Sequence, residues 1–289
     1  MDVVHWLLDP FDPAFMQRAL VAGALAVVAT SVVGTWVVLR GMSFLGDALA
    51  HGVLPGMALA VVWGFNLTVG ALLSAAVMVG GVSLVKRRSR LAEDTGVGLL
   101  FVGMLALGVI IISKSTSFTN DVQSLLFGDV LGVTAADVRL QALAAALVLV
   151  ATVLGYRAFL VLSFNEAKAG SLRLHPAATH LALLALIAVA IVSSFQAVGT
   201  LLVFGLLIGP PATAALLVRR VWLCMVVAVA VGWLAVAAGL ILSYHYGTAA
   251  GATMAGTSVA LFFLVLLSQE VCAFARRSPD RSADARLTG

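Results

Sequence analysis

Long apolar stretches recur along this chain from one end to the other, and they constrain its fold more than any other feature. Of the 289 residues, 62% are hydrophobic and only 10% are charged. A water-soluble domain of this size needs a more polar surface than such a composition can supply. Runs of about 20 apolar residues can cross the hydrocarbon core of a bilayer as helices, which pair their own backbone groups. The sequence therefore predicts an all-α polytopic membrane protein.

The apolar runs predict about nine transmembrane helices, with eight as the alternative if one run is re-entrant. Together they form one transmembrane domain over residues 15–271, preceded by a short segment, 1–14, and followed by a charged tail, 272–289, that we expect to be disordered. The predicted spans are residues 15–39, 42–64, 67–85, 95–113, 137–162, 178–195, 197–218, 222–243 and 252–271.

Positive charge is divided unevenly between the two sides of the predicted bundle. Only Arg18, Lys114 and Arg139 fall on the side that carries the N-terminus. Positive residues are enriched in cytoplasmic loops, so we expect the N-terminus outside and the C-terminus in the cytoplasm. The net charge of +4 is then a topology signal, and no nucleic-acid partner is expected. The other 14 of the 17 Lys and Arg residues lie on the opposite side: Arg40, Lys86, Arg87, Arg88, Arg90, Arg157, Lys168, Arg173, Arg219, Arg220, Arg276, Arg277, Arg281 and Arg286.

One predicted span contains two side chains of metal-binding type. Asp47 and His51 are four residues apart in Gly46-Asp-Ala-Leu-Ala-His-Gly-Val-Leu-Pro-Gly56, which places them on one helix face about 6 Å apart along the axis. A charged Asp at the bilayer centre costs about 2.5–3.5 kcal/mol, so it should face a cavity or a partner. A carboxylate with an imidazole suits a divalent ion such as Zn²⁺ or Mn²⁺. The alternative is that the two side chains bond only to each other and stabilise the bundle.

The pair is too small to complete a coordination shell. Zn²⁺ usually takes four ligands, so we expect two copies of the chain to supply them at a shared axis. Pro55 has no N–H to donate within the helix, so carbonyl groups one turn earlier are expected to be freed beside the pair.

The segment Arg40-Gly-Met-Ser-Phe-Leu-Gly-Asp-Ala-Leu-Ala-His-Gly-Val-Leu-Pro-Gly56 resembles the signature of the zinc/manganese ABC importer permeases. The resemblance extends to Leu126-Phe-Gly-Asp129, to Ser194-Phe-Gln-Ala-Val-Gly-Thr-Leu-Leu-Val203 and to Gly209-Pro-Pro-Ala-Thr213, and it covers the chain to about residue 270. It implies the fold of a type II ABC importer permease in the bacterial plasma (inner) membrane. It also implies that Asp47 and His51 line the path of a transported Mn²⁺ or Zn²⁺.

The same resemblance implies the partners of the chain. They are a second permease copy, two cytoplasmic ABC ATPase subunits, an extracytoplasmic metal-binding protein and membrane lipid. ATP is used by the ATPase, and the chain itself is expected to be neither an enzyme nor the holder of a cofactor. Asn165 stands where the family often has an acidic residue. The coupling helix that contacts the ATPase is implied at Asn165, Glu166, Ala167, Lys168 and Gly170.

Several alternatives remain open at this level. His245, near the outer end of its predicted span, is a weaker candidate to meet an arriving ion, and an ordinary loop histidine is the simpler interpretation. An ion-coupled secondary transporter would use Asp47 and His51 as a proton relay, and a structural subunit would have no pathway at all. The metal is left open among Mn²⁺, Zn²⁺ and Fe²⁺, because one Asp/His pair does not select between them.

Overall fold

The computed structural model describes residues 9–88, 93–113, 132–164 and 175–277. Within these residues every regular element is helical, which confirms the predicted all-α class. A short 3₁₀ turn, Asp9–Phe11, precedes the first long helix. The α-helices of the described residues are α1 (Ala14–Leu39), α2 (Ser43–Gly52), α3 (Leu54–Trp63), α4 (Leu67–Arg88), α5 (Glu93–Ile112), α6 (Ala135–Phe164), α7 (Pro176–Val198), α8 (Thr200–Leu217), α9 (Val221–Tyr246) and α10 (Ala250–Arg277).

These helices occupy the nine predicted span positions. Eight stretches of the described chain are long and apolar enough to cross a membrane, and α2 with α3 (Ser43–Trp63) counts as one of them. The ninth position is α8, whose apolar part is shorter. The prediction of nine spans, or eight, is therefore confirmed. Helix α10 continues to Arg277, six residues beyond the predicted end of the last span, because residues 272–277 contain good helix formers and neither Gly nor Pro.

The second predicted span, 42–64, is two helices instead of one. Helix α2 ends at Gly52 and α3 begins at Leu54, so the interruption falls midway through the span. Pro55 lies in the first turn of α3, where its missing N–H costs least. The Gly52 carbonyl accepts a hydrogen bond of 2.7 Å from the Ser74 hydroxyl of α4. A neighbouring helix thus donates a hydrogen bond to a carbonyl close to Pro55, as suits a polar group in a membrane interior.

Small residues bring α3, the helix after this break, close to its neighbour α4. Gly56 of α3 and Gly70 of α4 face each other, and a Cβ atom on either would overlap the carbonyl oxygen of the other. In α8, Gly205 packs closely on Ala255 of α10, and a Cβ atom at position 205 would lie 3.0 Å from the Cβ atom of Ala255. Small residues that allow backbones to approach are a common basis of helix packing in membranes. These small residues are therefore packing sites between helices.

Helix α2 is surrounded on most sides. It packs chiefly against α5 and also touches α4, α7 and α8. Leu45, Ala48 and Leu49 are buried on the inner face of α2. The opposite face, which includes Asp47 and His51, stays partly accessible. The fold thus leaves one stripe of α2 open, and the two polar residues lie on it.

Candidate functional site

Asp47 and His51 form a pair on the accessible stripe of α2. The Nε2 atom of His51 lies 3.5 Å from Oδ1 of Asp47, and the two side chains are 26% and 32% exposed respectively. The helix ends one residue after His51, so the pair lies beside the break between α2 and α3. The four-residue spacing therefore places the carboxylate and the imidazole together, as the sequence predicted.

The position of the pair in the membrane limits what its open side can face. The break lies midway along a 21-residue stretch that is long enough to span a bilayer. An ionised Asp turned toward lipid at that depth is costly. The open side of Asp47 and His51 must therefore meet water, an ion or another protein surface.

Aromatic rings form a wall next to the imidazole. The Phe101 ring of α5 packs edge-on to the His51 ring with centroids 5.9 Å apart. Phe44, one turn before Asp47, packs edge-on to Phe101 at 5.7 Å. These contacts restrict the rotation of the imidazole and leave its Nε2 atom turned toward the carboxylate.

The geometry of the pair is compatible with two ligands of one ion. Two ligands about 2.1 Å from a tetrahedral ion such as Zn²⁺ stand about 3.4 Å apart, and the observed N–O separation is 3.5 Å. Among the described residues, no group of three or more His, Cys, Asp or Glu could hold a metal. The described part of one chain therefore supplies two donors of these residue types here, and any further ligand of these types lies outside the described residues or on another chain.

The other predicted site residues stand apart from this pair. His245 is in the last turn of α9, which packs against α1, α8 and α10, and its ring contacts that of Tyr244. The structure does not bring it together with Asp47. The proposed coupling residues Asn165, Glu166, Ala167, Lys168 and Gly170 lie outside the described residues.

Two neighbours of the site were missed in the sequence. Ser74 is one turn beyond Gly70 in an apolar run, and this small-residue spacing could have marked it as a contact with another helix. Phe101 gave no comparable signal, because the run that contains it is apolar throughout. Only the packing of α2 on α5 reveals its contact with His51.

Known protein families and relatives match most of the length of this chain. The family model described as ABC 3 transport family matches residues 12–269. The chain is 36% identical to the manganese transport system membrane protein MntC of Listeria monocytogenes, over 88% of this chain and 90% of that protein. It is 34% identical to the chelated iron transport system membrane protein YfeD of Yersinia pestis, over 90% and 86% of the two chains.

A solved structure has a closely similar fold. PsaBC from Streptococcus pneumoniae, determined in complex with a Fab, superposes with a TM-score of 0.80 at 29% identity. The match covers 91% of this chain and 95% of that one. The similarity therefore includes nearly all of the helices described above.

Proposed function

This chain belongs to the ABC 3 transport family and is the permease of a metal importer of the ABC class, and we propose that Mn²⁺ crosses the membrane past Asp47 and His51. The single observation that carries the proposal is the partly exposed carboxylate–imidazole pair midway through a membrane span. A buried ion pair could serve packing alone, but an open one at this depth requires a polar partner. A travelling cation is such a partner.

Manganese is proposed as the cargo because relatives at 36% and 35% identity are named for manganese transport and import. Another relative, at 34% identity, is named for chelated iron. One carboxylate and one imidazole also suit Fe²⁺ and Zn²⁺, so these ions belong in any assay of selectivity. A pathway must bind its ion strongly enough to select it and weakly enough to release it, which favours few protein ligands per chain.

A second copy of the chain is proposed to face the open stripe. In the most apolar 18-residue stretch of α5 only 17% is buried, compared with 67% in the corresponding stretch of α2 and α3. Helix α5 contributes Phe101 next to His51, so its uncovered surface is continuous with the site. Two copies that meet here would bring two Asp47/His51 pairs to one axis, supply up to four protein ligands and keep both carboxylates away from lipid.

Energy for import is proposed to come from ATP hydrolysis in separate cytoplasmic subunits. The residues around Asn165–Gly170 are proposed to contact those subunits, and an extracytoplasmic protein is proposed to deliver the ion. The chain is then oriented with its N-terminus outside and its C-terminus inside, because most loop Lys and Arg residues share one side. In this arrangement the binding and release of nucleotide would open the Asp47/His51 pair first to one side of the membrane and then to the other.

Transport of radioactive Mn²⁺ into proteoliposomes that contain the complete complex tests the proposal. Asp47→Asn and His51→Gln replace the carboxylate and the imidazole by neutral amides, which are weaker ligands of similar size. Both should reduce ATP-dependent uptake by about tenfold or more. Asp94→Asn, at the exposed start of α5, and His245→Gln are matched controls that should transport normally. Undiminished uptake by Asp47→Asn would remove this residue from the pathway. Uptake that follows a proton gradient without ATP would instead identify a secondary transporter.

A further inference from the structure

A second feature of the bundle is an apolar cleft of about 660 Å³ between α1, α6 and α9. Val28 and Val32 of α1 form part of its lining. Trp222 and Trp233 of α9 line it as well, and their side chains are 52% and 49% exposed. The cleft therefore opens on the outer surface of the described bundle. None of its lining residues belongs to α2 or α5, which carry the Asp47/His51 pair and its aromatic neighbour.

The length of the cleft matches one leaflet of a membrane. Trp222 and Trp233 are eleven residues apart on α9, which corresponds to about 16 Å along the helix axis. Half of a typical hydrocarbon core is about 15 Å. Near the deep end, Nε1 of Trp233 donates a hydrogen bond of 3.1 Å to the Ala24 carbonyl of α1 and ties the two helices together.

Positive charge is concentrated at the other end of the cleft. Arg219 and Arg220 immediately precede α9, close to Trp222, and both are exposed. On α6, the exposed Arg157 follows Tyr156, which lines the cleft. None of the lining residues is itself charged. The cleft is apolar, is one leaflet long and has arginines at its membrane-surface end. These features are complementary to a lipid that has a negative headgroup.

A buried hydroxyl group in the wall adds an independent indication of a ligand. Thr152 of α6 lines the cleft and is only 3% exposed. Among the described residues its Oγ1 atom has no hydrogen-bond partner, which is unusual for a buried polar group. Thr152 lies five residues before Arg157, about 7.5 Å deeper along the helix. The ester carbonyl groups of a phospholipid lie a comparable distance below its phosphate and accept hydrogen bonds.

We propose that this cleft is a binding site for one anionic phospholipid of the leaflet on the basic side of the protein. One acyl chain lies in the cleft between Trp222 and Trp233, and the phosphate headgroup pairs with the arginines at its end. The apolar lining accounts for retention of the chain, and the positive charge accounts for selection of the headgroup. Each arginine near the surface contributes about a fivefold preference for the anionic lipid.

Native mass spectrometry of the purified full-length chain tests the site, with phosphatidylglycerol and phosphatidylcholine of the same acyl chains supplied in equal amounts. The wild type should retain phosphatidylglycerol preferentially. Arg157→Ala and Arg220→Ala should each lower that preference about fivefold. Arg87→Ala is the matched control, because it removes an exposed arginine at the end of α4, which contributes no residue to the cleft.

A pair of tryptophan substitutions tests the apolar part. Ala230→Trp places a large ring in the cleft and should abolish retention of both lipids, whereas Ala238→Trp, two turns further along the exposed side of α9, should not. Equal retention of the two lipids by the wild type, or normal retention by Ala230→Trp, would overturn the proposal. A change of oligomeric state in Ala230→Trp with lipid retention intact would show that a second copy covers the cleft, and would overturn it too.

Discussion

Gly56→Ala is predicted to separate the two helices that fix the break beside the Asp47/His51 pair. A Cβ atom at position 56 would overlap the Gly70 carbonyl oxygen and lie 2.7 Å from Cβ of Ser74. Both obstacles are backbone or backbone-proximal atoms, so no side-chain rotation relieves the overlap. Helices α3 and α4 must therefore move apart, and the hydrogen bond from Ser74 to Gly52 is strained at the same time.

The expected loss of stability in Gly56→Ala follows from two opposing effects. Overpacking costs about 1–3 kcal/mol, and contact with backbone places this site near the upper limit. The replacement of Gly by Ala within a helix returns about 0.5–1 kcal/mol. A net loss of about 2 kcal/mol should lower the midpoint of thermal unfolding by about 4–8 °C. Gly80 of α4 has open space around its Cβ position, so Gly80→Ala should raise the midpoint by about 1–4 °C.

Thermal unfolding of the purified variants in one detergent, followed by tryptophan fluorescence, measures both changes. The informative result is that Gly56→Ala lowers the unfolding midpoint and Gly80→Ala raises it, because any general effect of adding a methyl group would shift both midpoints in the same direction. A midpoint for Gly56→Ala equal to or above that of the wild type would show that α3 and α4 are not in this close contact.

Two further substitutions are read out by the same unfolding assay. Ser74→Ala leaves the Gly52 carbonyl without its 2.7 Å donor and should cost about 0.6–1.7 kcal/mol. The Ser193 hydroxyl bonds to the Ala190 carbonyl of its own helix, so Ser193→Ala should change stability less. Equal losses for the two variants would contradict a special role for Ser74. Gly199→Ala places a side chain at φ +78° between α7 and α8 and should lower the free energy of unfolding by about 1–2 kcal/mol. Gly256→Ala, in open space within α10, is its control. A Gly199→Ala protein as stable as the wild type would refute the assigned backbone conformation.

The positions of the helices could be predicted from the sequence because apolar length alone nearly determines them. Each predicted span has a helix at its place, and the largest error at the C-terminal end is six residues, at α10. The break at Val53 was predicted only in part. Pro55 indicated that a carbonyl would be freed, but a single proline does not decide whether a helix kinks or ends. Here the Ser74 hydroxyl of another helix stabilises the interrupted form.

The candidate site, too, has some features set by local sequence and others set by packing between helices. The proximity of Asp47 and His51 follows from helical spacing, so the sequence was sufficient. Which face of α2 remains open, and the contact of His51 with Phe101, depend on how α5 packs 50 residues later in the chain. The cleft between α1, α6 and α9 combines three distant segments of similar apolar composition, so no pattern in any one of them indicated it.

Pulsed electron paramagnetic resonance of Mn²⁺ bound to the purified protein tests the central claim most directly, since it detects an imidazole nitrogen in contact with the ion. We expect nitrogen coupling in the wild type and in His245→Gln, and its loss in His51→Gln. Coupling that persists unchanged in His51→Gln, or bound Mn²⁺ without any nitrogen ligand in the wild type, would contradict passage of the ion between Asp47 and His51.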